Sequence, residues 1–61
     1  MASERAYASG GNKYYVVERN GYMSVKRVGW LGRETVGEAH DLADALALIQ
    51  VDSGSSRIET R

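Results

Sequence analysis

Two runs rich in aromatic and β-branched residues edged by polar ones, KYYVVER and YMSVKRV, flank Asn20-Gly21 in the first half of the chain. Asn-Gly accepts the positive φ that both central positions of a type I′ turn require, so the pair predicts a β-hairpin with a two-residue loop. Counting outward from the turn places Arg19 opposite Tyr22, Val17 opposite Ser24, Val16 opposite Val25, Tyr15 opposite Lys26 and Tyr14 opposite Arg27. Side chains alternate between the two sides of a strand. One face therefore carries Tyr14, Val16, Glu18, Met23, Val25 and Arg27, and the other Tyr15, Val17, Arg19, Tyr22, Ser24 and Lys26. The first is richer in aliphatics at its centre and is assigned to the core. The reverse assignment stays open, because both faces hold apolar residues.

Further along, the period changes. Leu42, Ala45, Leu46 and Ile49 fall on one stripe at helical spacing, preceded by the capping residue Asp41 and followed by Ser53-Gly54-Ser55-Ser56. This predicts one helix, from Asp41 or Leu42 to about Val51. RETVGEA before it suits a short third strand with Val36 inward, and RIETR after it alternates as a closing strand. The first twelve residues, MASERAYASGGN, show neither hydrophobic period and read as a flexible N-terminal arm. The expected fold is α+β: residues 13–61 form a single domain with a small antiparallel sheet of three to four strands. One helix packs on one face, in the order β-β-(β)-α-β. Such a helix covers one sheet face and leaves the other to water or a partner.

At 61 residues the chain buries only about 60% of its unfolded surface. A large substrate cavity is therefore not expected. Cysteine is absent and His40 is the only histidine, which excludes disulfides and cysteine-based zinc sites. No metal, cofactor or catalytic group is expected. His40 reads as a residue beside the helix N-cap, and Asp41 with Asp44 reads as capping and dipole compensation. No apolar run is long enough to span a membrane and no signal-peptide pattern follows Met1, so no membrane partner and a soluble, cytoplasmic location are expected.

Formal net charge is zero, but it is divided. Residues 1–33 carry six cations against Glu4 and Glu18, a net of +4, and residues 34–61 carry a net of −4. Within the basic part, KRVGWLGR sets Trp30 between Gly29 and Gly32, a turn or bulge signal. Gly29-Trp30-Leu31-Gly32 matches the bare GxxG pattern of nucleic-acid-binding KH domains. There, however, the loop joins two helices, and here it lies between strands. Trp30 either plugs a thin core at the sheet edge or stands exposed as an anchor.

The candidate partner-binding residues are Tyr15, Arg19, Tyr22, Lys26, Arg27, Trp30 and Arg33. Aromatics interleaved with cations suit base stacking beside phosphate pairing, and the same residue types dominate protein–protein hot spots. On the helix, Ala43, Ala47, Leu48 and Val51 form an outer face poor in charge, the candidate surface for a homodimer.

YYVVERNGYMSVKR, EAHDLADALALI and SRIETR together resemble a family of short uncharacterised bacterial ββαβ proteins, from Tyr14 to Arg61. The tail, with Arg57, Ile58, Glu59 and Thr60, is similar to that of small phage-encoded anti-CRISPR proteins. The latter resemblance implies a non-enzymatic inhibitor that docks on a host nucleoprotein or nuclease complex and occludes its nucleic-acid-binding surface. The alternatives are a direct nucleic-acid binder using the basic hairpin, and a structural homodimer.

Overall fold

Three tight turns organise the chain into a four-stranded meander. In the computed structural model, which describes residues 3–61, these are β1 (Ser3–Ser9), β2 (Asn12–Arg19), β3 (Tyr22–Gly29) and β4 (Gly32–Ala39). Asn20 and Gly21 take φ of +52° and +82°, as the type I′ hairpin requires. The β2–β3 register is the one counted from the turn, with Tyr14 on Arg27, Val16 on Val25 and Arg19 on Tyr22. After β4 the chain crosses the sheet as α1 (Leu42–Ser53) and returns as β5 (Glu59–Thr60) on the far side of β1. The strand order is β4-β3-β2-β1-β5, all neighbours antiparallel.

The fold class is the expected one, a small antiparallel sheet with one helix, but the sheet has five strands. The added strand is β1, where a flexible arm is expected. Tyr7 pairs with Tyr14, and Ser9 with Asn12. Gly10 and Gly11 both adopt positive φ, closing a second two-residue hairpin like the Asn-Gly one. Tyr7 is buried, so its aromatic ring is part of the core rather than of an arm. Met1 and Ala2 of that arm lie outside the described residues.

Tyr7, Tyr14, Val16, Val25, Ala39, Ala45 and Ile49 form the core, with Met23, Val36, Leu42, Leu46, Leu48 and Ile58 packed around it. The helix therefore covers the Tyr14/Val16/Val25 face, the aliphatic-centred one. Its start is capped by Asp41, whose carboxylate accepts from the Asp44 N–H at 2.8 Å. It ends two residues beyond the expected Val51, where Gly54 takes a left-handed φ of +72° and donates to the Gln50 carbonyl at 3.0 Å. The closing strand is short, but Arg61 N–H also donates to the Ala6 carbonyl at 2.9 Å. Between β3 and β4 the register shifts at Val25/Lys26: Val25 faces Gly37 while Lys26 faces Thr35. Val36 is thus the extra residue of a bulge, and it packs against the core.

Candidate functional site

Alternation from the buried Tyr14 and Val16 sets Tyr15 and Val17 on the sheet face away from the helix. The pairings then place Ala6 and Lys26 beside Tyr15, Thr35 beside Lys26, and Glu4 and Ser24 beside Val17. Tyr22 lies at the Arg19 end of the same face and Val28 at the Arg33 end. Among the described residues no element covers this face. Tyr15, Val17, Tyr22, Ser24 and Lys26 are half-buried by one another, and Arg19 and Val28 are exposed. The result is a mixed wall in which apolar ring and aliphatic surface alternates with cations.

Arg33 is exposed but folds back across the sheet. Its guanidinium lies 3.8 Å from the centroid of the Tyr15 ring and forms an ion pair with Glu4, reaching from β4 across β3 and β2 to β1. An arginine over an aromatic face is attracted by the ring quadrupole. Here Glu4 fixes where that arginine points. The pair forms a strap over the middle of the wall.

Arg27 occupies the opposite side. It was expected among the partner-binding residues, but its register partner is the buried Tyr14, and its side chain lies beneath the helix end. One guanidinium nitrogen donates to both Asp52 oxygens at 2.8 and 2.9 Å, and the other to Glu34 at 3.0 Å. Tyr14 donates its hydroxyl to Asp52 at 2.7 Å and accepts from the Asn12 amide at 3.2 Å. Asp52 sits in the last helical turn, where a negative charge opposes the helix dipole, and the cluster supplies the compensation. The Tyr14 hydrogen bond, joined by those of Arg27, holds the Asp52 carboxyl below the usual range against the opposing effect of burial. Burial, then the hydrogen bond to Asp52, pushes the Tyr14 phenol up. Both groups are thereby fixed in their ordinary charge states at neutral pH, the reverse of what a general base or nucleophile needs.

Trp30 and Leu31 form the apex of the β3–β4 hairpin. Each is as exposed as in an extended chain, at 102%. Neither has positive φ; Gly32, at +124°, absorbs the conformational demand of the two-residue loop. Of the two readings open for Trp30, the exposed one holds. It stands at the tip, though, rather than on the sheet face in phase with Val28.

Among the homodimer candidates Ala43, Ala47 and Val51 point outward, Val51 at 83% exposure. Leu48 is turned toward β4 instead. A Cβ on Gly37 would come within 3.3 Å of its Cδ1, so the missing side chain there makes room for Leu48 against the core. Among the described residues no three His, Cys, Asp or Glu side chains converge as metal ligands, and no helix is long and apolar enough to cross a membrane.

Sequence pattern placed Tyr15, Arg19, Tyr22 and Lys26 on one face, and the structure keeps them there. It missed Glu4 as the partner of Arg33 and Asp52 as the partner of Arg27. These pairs lie 29 and 25 positions apart, beyond any local spacing rule. Leu31 stands beside Trp30 with equal exposure and was legible only as a neighbour between the same two glycines. No protein-family model matches the chain, and no curated protein or solved structure is significantly similar to it.

Proposed function

We infer that the chain is a non-enzymatic binding protein that docks through its uncovered sheet face on a protein or nucleoprotein partner. The observation that carries this reading is the wall itself. Tyr15, Tyr22, Val17 and Val28 stay accessible on the side the helix does not reach, interleaved with Arg19 and Lys26. Tyrosine and arginine on a rigid sheet give large contact area at low entropic cost. An inhibitor that occludes a nucleic-acid-binding surface, as the anti-CRISPR resemblance implies, would act through such a face by steric and electrostatic blocking alone.

A protein surface is favoured over nucleic acid as the primary target because of how the cations are spent. Of the four basic residues expected at the interface, Arg27 is committed to Asp52 and Glu34, and Arg33 to Glu4. Lys26 and Arg19, with Lys13 one position before Tyr14, remain for phosphates. Dedicated nucleic-acid binders are commonly basic overall, whereas this chain is neutral.

The test is affinity capture from host lysate with wild type beside Tyr22→Ala/Lys26→Ala, followed by reconstitution with the captured component once purified. Loss of direct, stoichiometric binding in the double variant, with its circular dichroism and melting curve unchanged, is the expected result. Equal binding by both proteins would remove the sheet face from the function. Tight binding to duplex or single-stranded oligonucleotide at about 50 mM salt, weakening steeply as salt rises, would instead select the nucleic-acid reading.

A further inference from the structure

The chain carries both a protruding apolar knob and a shallow, open apolar groove. The knob is Trp30-Leu31, raised on the hairpin at one end of β4. The recess lies farther along the same edge of the molecule, between α1 and β4. It is a groove of about 310 Å³ lined by Ala47, Leu48 and Val51, with Glu38 and Asp44 as an acidic rim. This is at the small end of the range of about 300–1,000 Å³ for binding pockets, a size suited to one or two side chains.

A chain cannot fill its own groove. The tip is separated from Glu38 by residues 32–37 of extended β4, roughly 20 Å. We propose that the occupant is the Trp30-Leu31 tip of a second copy, and that two chains associate flank to flank with their β4 edges antiparallel. In this arrangement each tip enters the other's groove.

Two observations favour a second copy. The geometry is self-complementary, with knob and groove at separate places along one flank, as an isologous twofold contact requires. Area is the second. A single aromatic buries about 150–250 Å², so Trp30, Leu31 and Val51 with the outer alanines supply on the order of 600 Å² per copy. The intervening β4 edge brings this near the roughly 800 Å² of a standard interface.

The β4 bulge decides against the simpler alternative of a continuous sheet across the two chains. It breaks the alternation of the edge at Val36 and disfavours ladder extension. Contact is therefore through side chains of tip and groove.

Trp30 is the chain's only tryptophan, so its fluorescence reports on the tip directly. Sedimentation equilibrium from micromolar to near-millimolar protein is expected to show mass rising from 6.7 kDa toward twice that value. Trp30 emission should move to the blue over the same range. Trp30→Ala/Leu31→Ala, which removes the knob, and Ala47→Arg, which fills the hole, should each weaken association by at least about tenfold. In Ala47→Arg the Trp30 emission should stay at its water-exposed position. Both variants change exposed residues, and circular dichroism verifies their fold. They leave the open sheet face intact, so this result and that of partner capture are independent. A constant monomer mass with unshifted Trp30 emission overturns the proposal. So does growth beyond the dimer, which signals a non-closing contact, or a dimer indifferent to both variants.

Discussion

Asp52 would be an unfavourable choice for the last turn of an isolated helix. It is stabilised by the Tyr14 hydroxyl and the Arg27 guanidinium, two groups on neighbouring strands that meet it only in the folded chain. Because its carboxyl is held below its unfolded value, its contribution to stability is fully present above about pH 4, the ordinary Asp range, and is lost as pH falls through the lower folded value. Chemical denaturation at neutral pH and below that range should show wild type losing stability on acidification. Asp52→Asn should start lower and lose less over the same interval. Tyr14→Phe keeps the buried ring and removes only the hydroxyl, with an expected cost of about 1 kcal/mol at neutral pH. At Gly10 the constraint is conformational and steric together. Its φ is +56°, and an added Cβ would lie 2.6 Å from the Ser53 carbonyl oxygen. Gly10→Ala should therefore destabilise by about 2 kcal/mol in urea denaturation.

At the scale of elements, β1 is the instructive case. SERAYAS has one large apolar residue and no β-branched one, so neither propensity nor periodicity marks it as a strand. What makes it one is its surroundings. The Gly10-Gly11 turn folds it back on β2, Tyr7 enters the core beside Tyr14, and β5 pairs with its outer edge. The Gly-Gly dipeptide is itself a recognised hairpin signal, and it was the legible clue. Backbone amides of β1 are accordingly expected to exchange with protection comparable to β2. Tyr7→Ala should cost about 3 kcal/mol by loss of a buried aromatic. Exchange as fast as in an unfolded peptide would return the segment to the status of an arm. The central hairpin and the helix needed no such help. Asn20-Gly21 sets a register in which a one-residue slip would expose Val16 and Val25, and Asp41 and Gly54 delimit a helix whose stripe matches the sheet.

Over the whole molecule, the +4 and −4 division along the sequence does not survive as two opposed faces. Folding uses part of it internally. Arg27 from the basic stretch pairs with Glu34 and Asp52 from the acidic one, and Arg33 turns back over Tyr15 to Glu4. The residual charge is an acidic excess of Glu18, Glu38, Asp41 and Asp44 over Arg5 and Arg19 at the end away from the Trp30-Leu31 tip. Any binding to nucleic acid through the sheet face should therefore show a shallow salt dependence. With Lys13, Arg19 and Lys26 available, about three phosphate contacts give a slope of log K against log salt no steeper than about −3. Titration of a fluorescent oligonucleotide at several salt concentrations measures this slope. A value near −5 would mean that Arg27 and Arg33 leave their carboxylates on binding.

Local chemistry in the sequence was enough to determine the β2–β3 hairpin, its register, which side chains share a face, and the limits of the helix to within a turn. Each of these depends on residues a few positions apart, through turn φ, alternation and capping. Only the tertiary structure decided that residues 3–9 join the sheet, that Arg27 and Arg33 are held by acids 25 and 29 positions away, and that Trp30 rises free of the core. Those outcomes depend on which surfaces meet across the sheet. The partners of an edge strand, a long cation or a turn side chain come from distant parts of the chain, brought near by burial rather than by spacing.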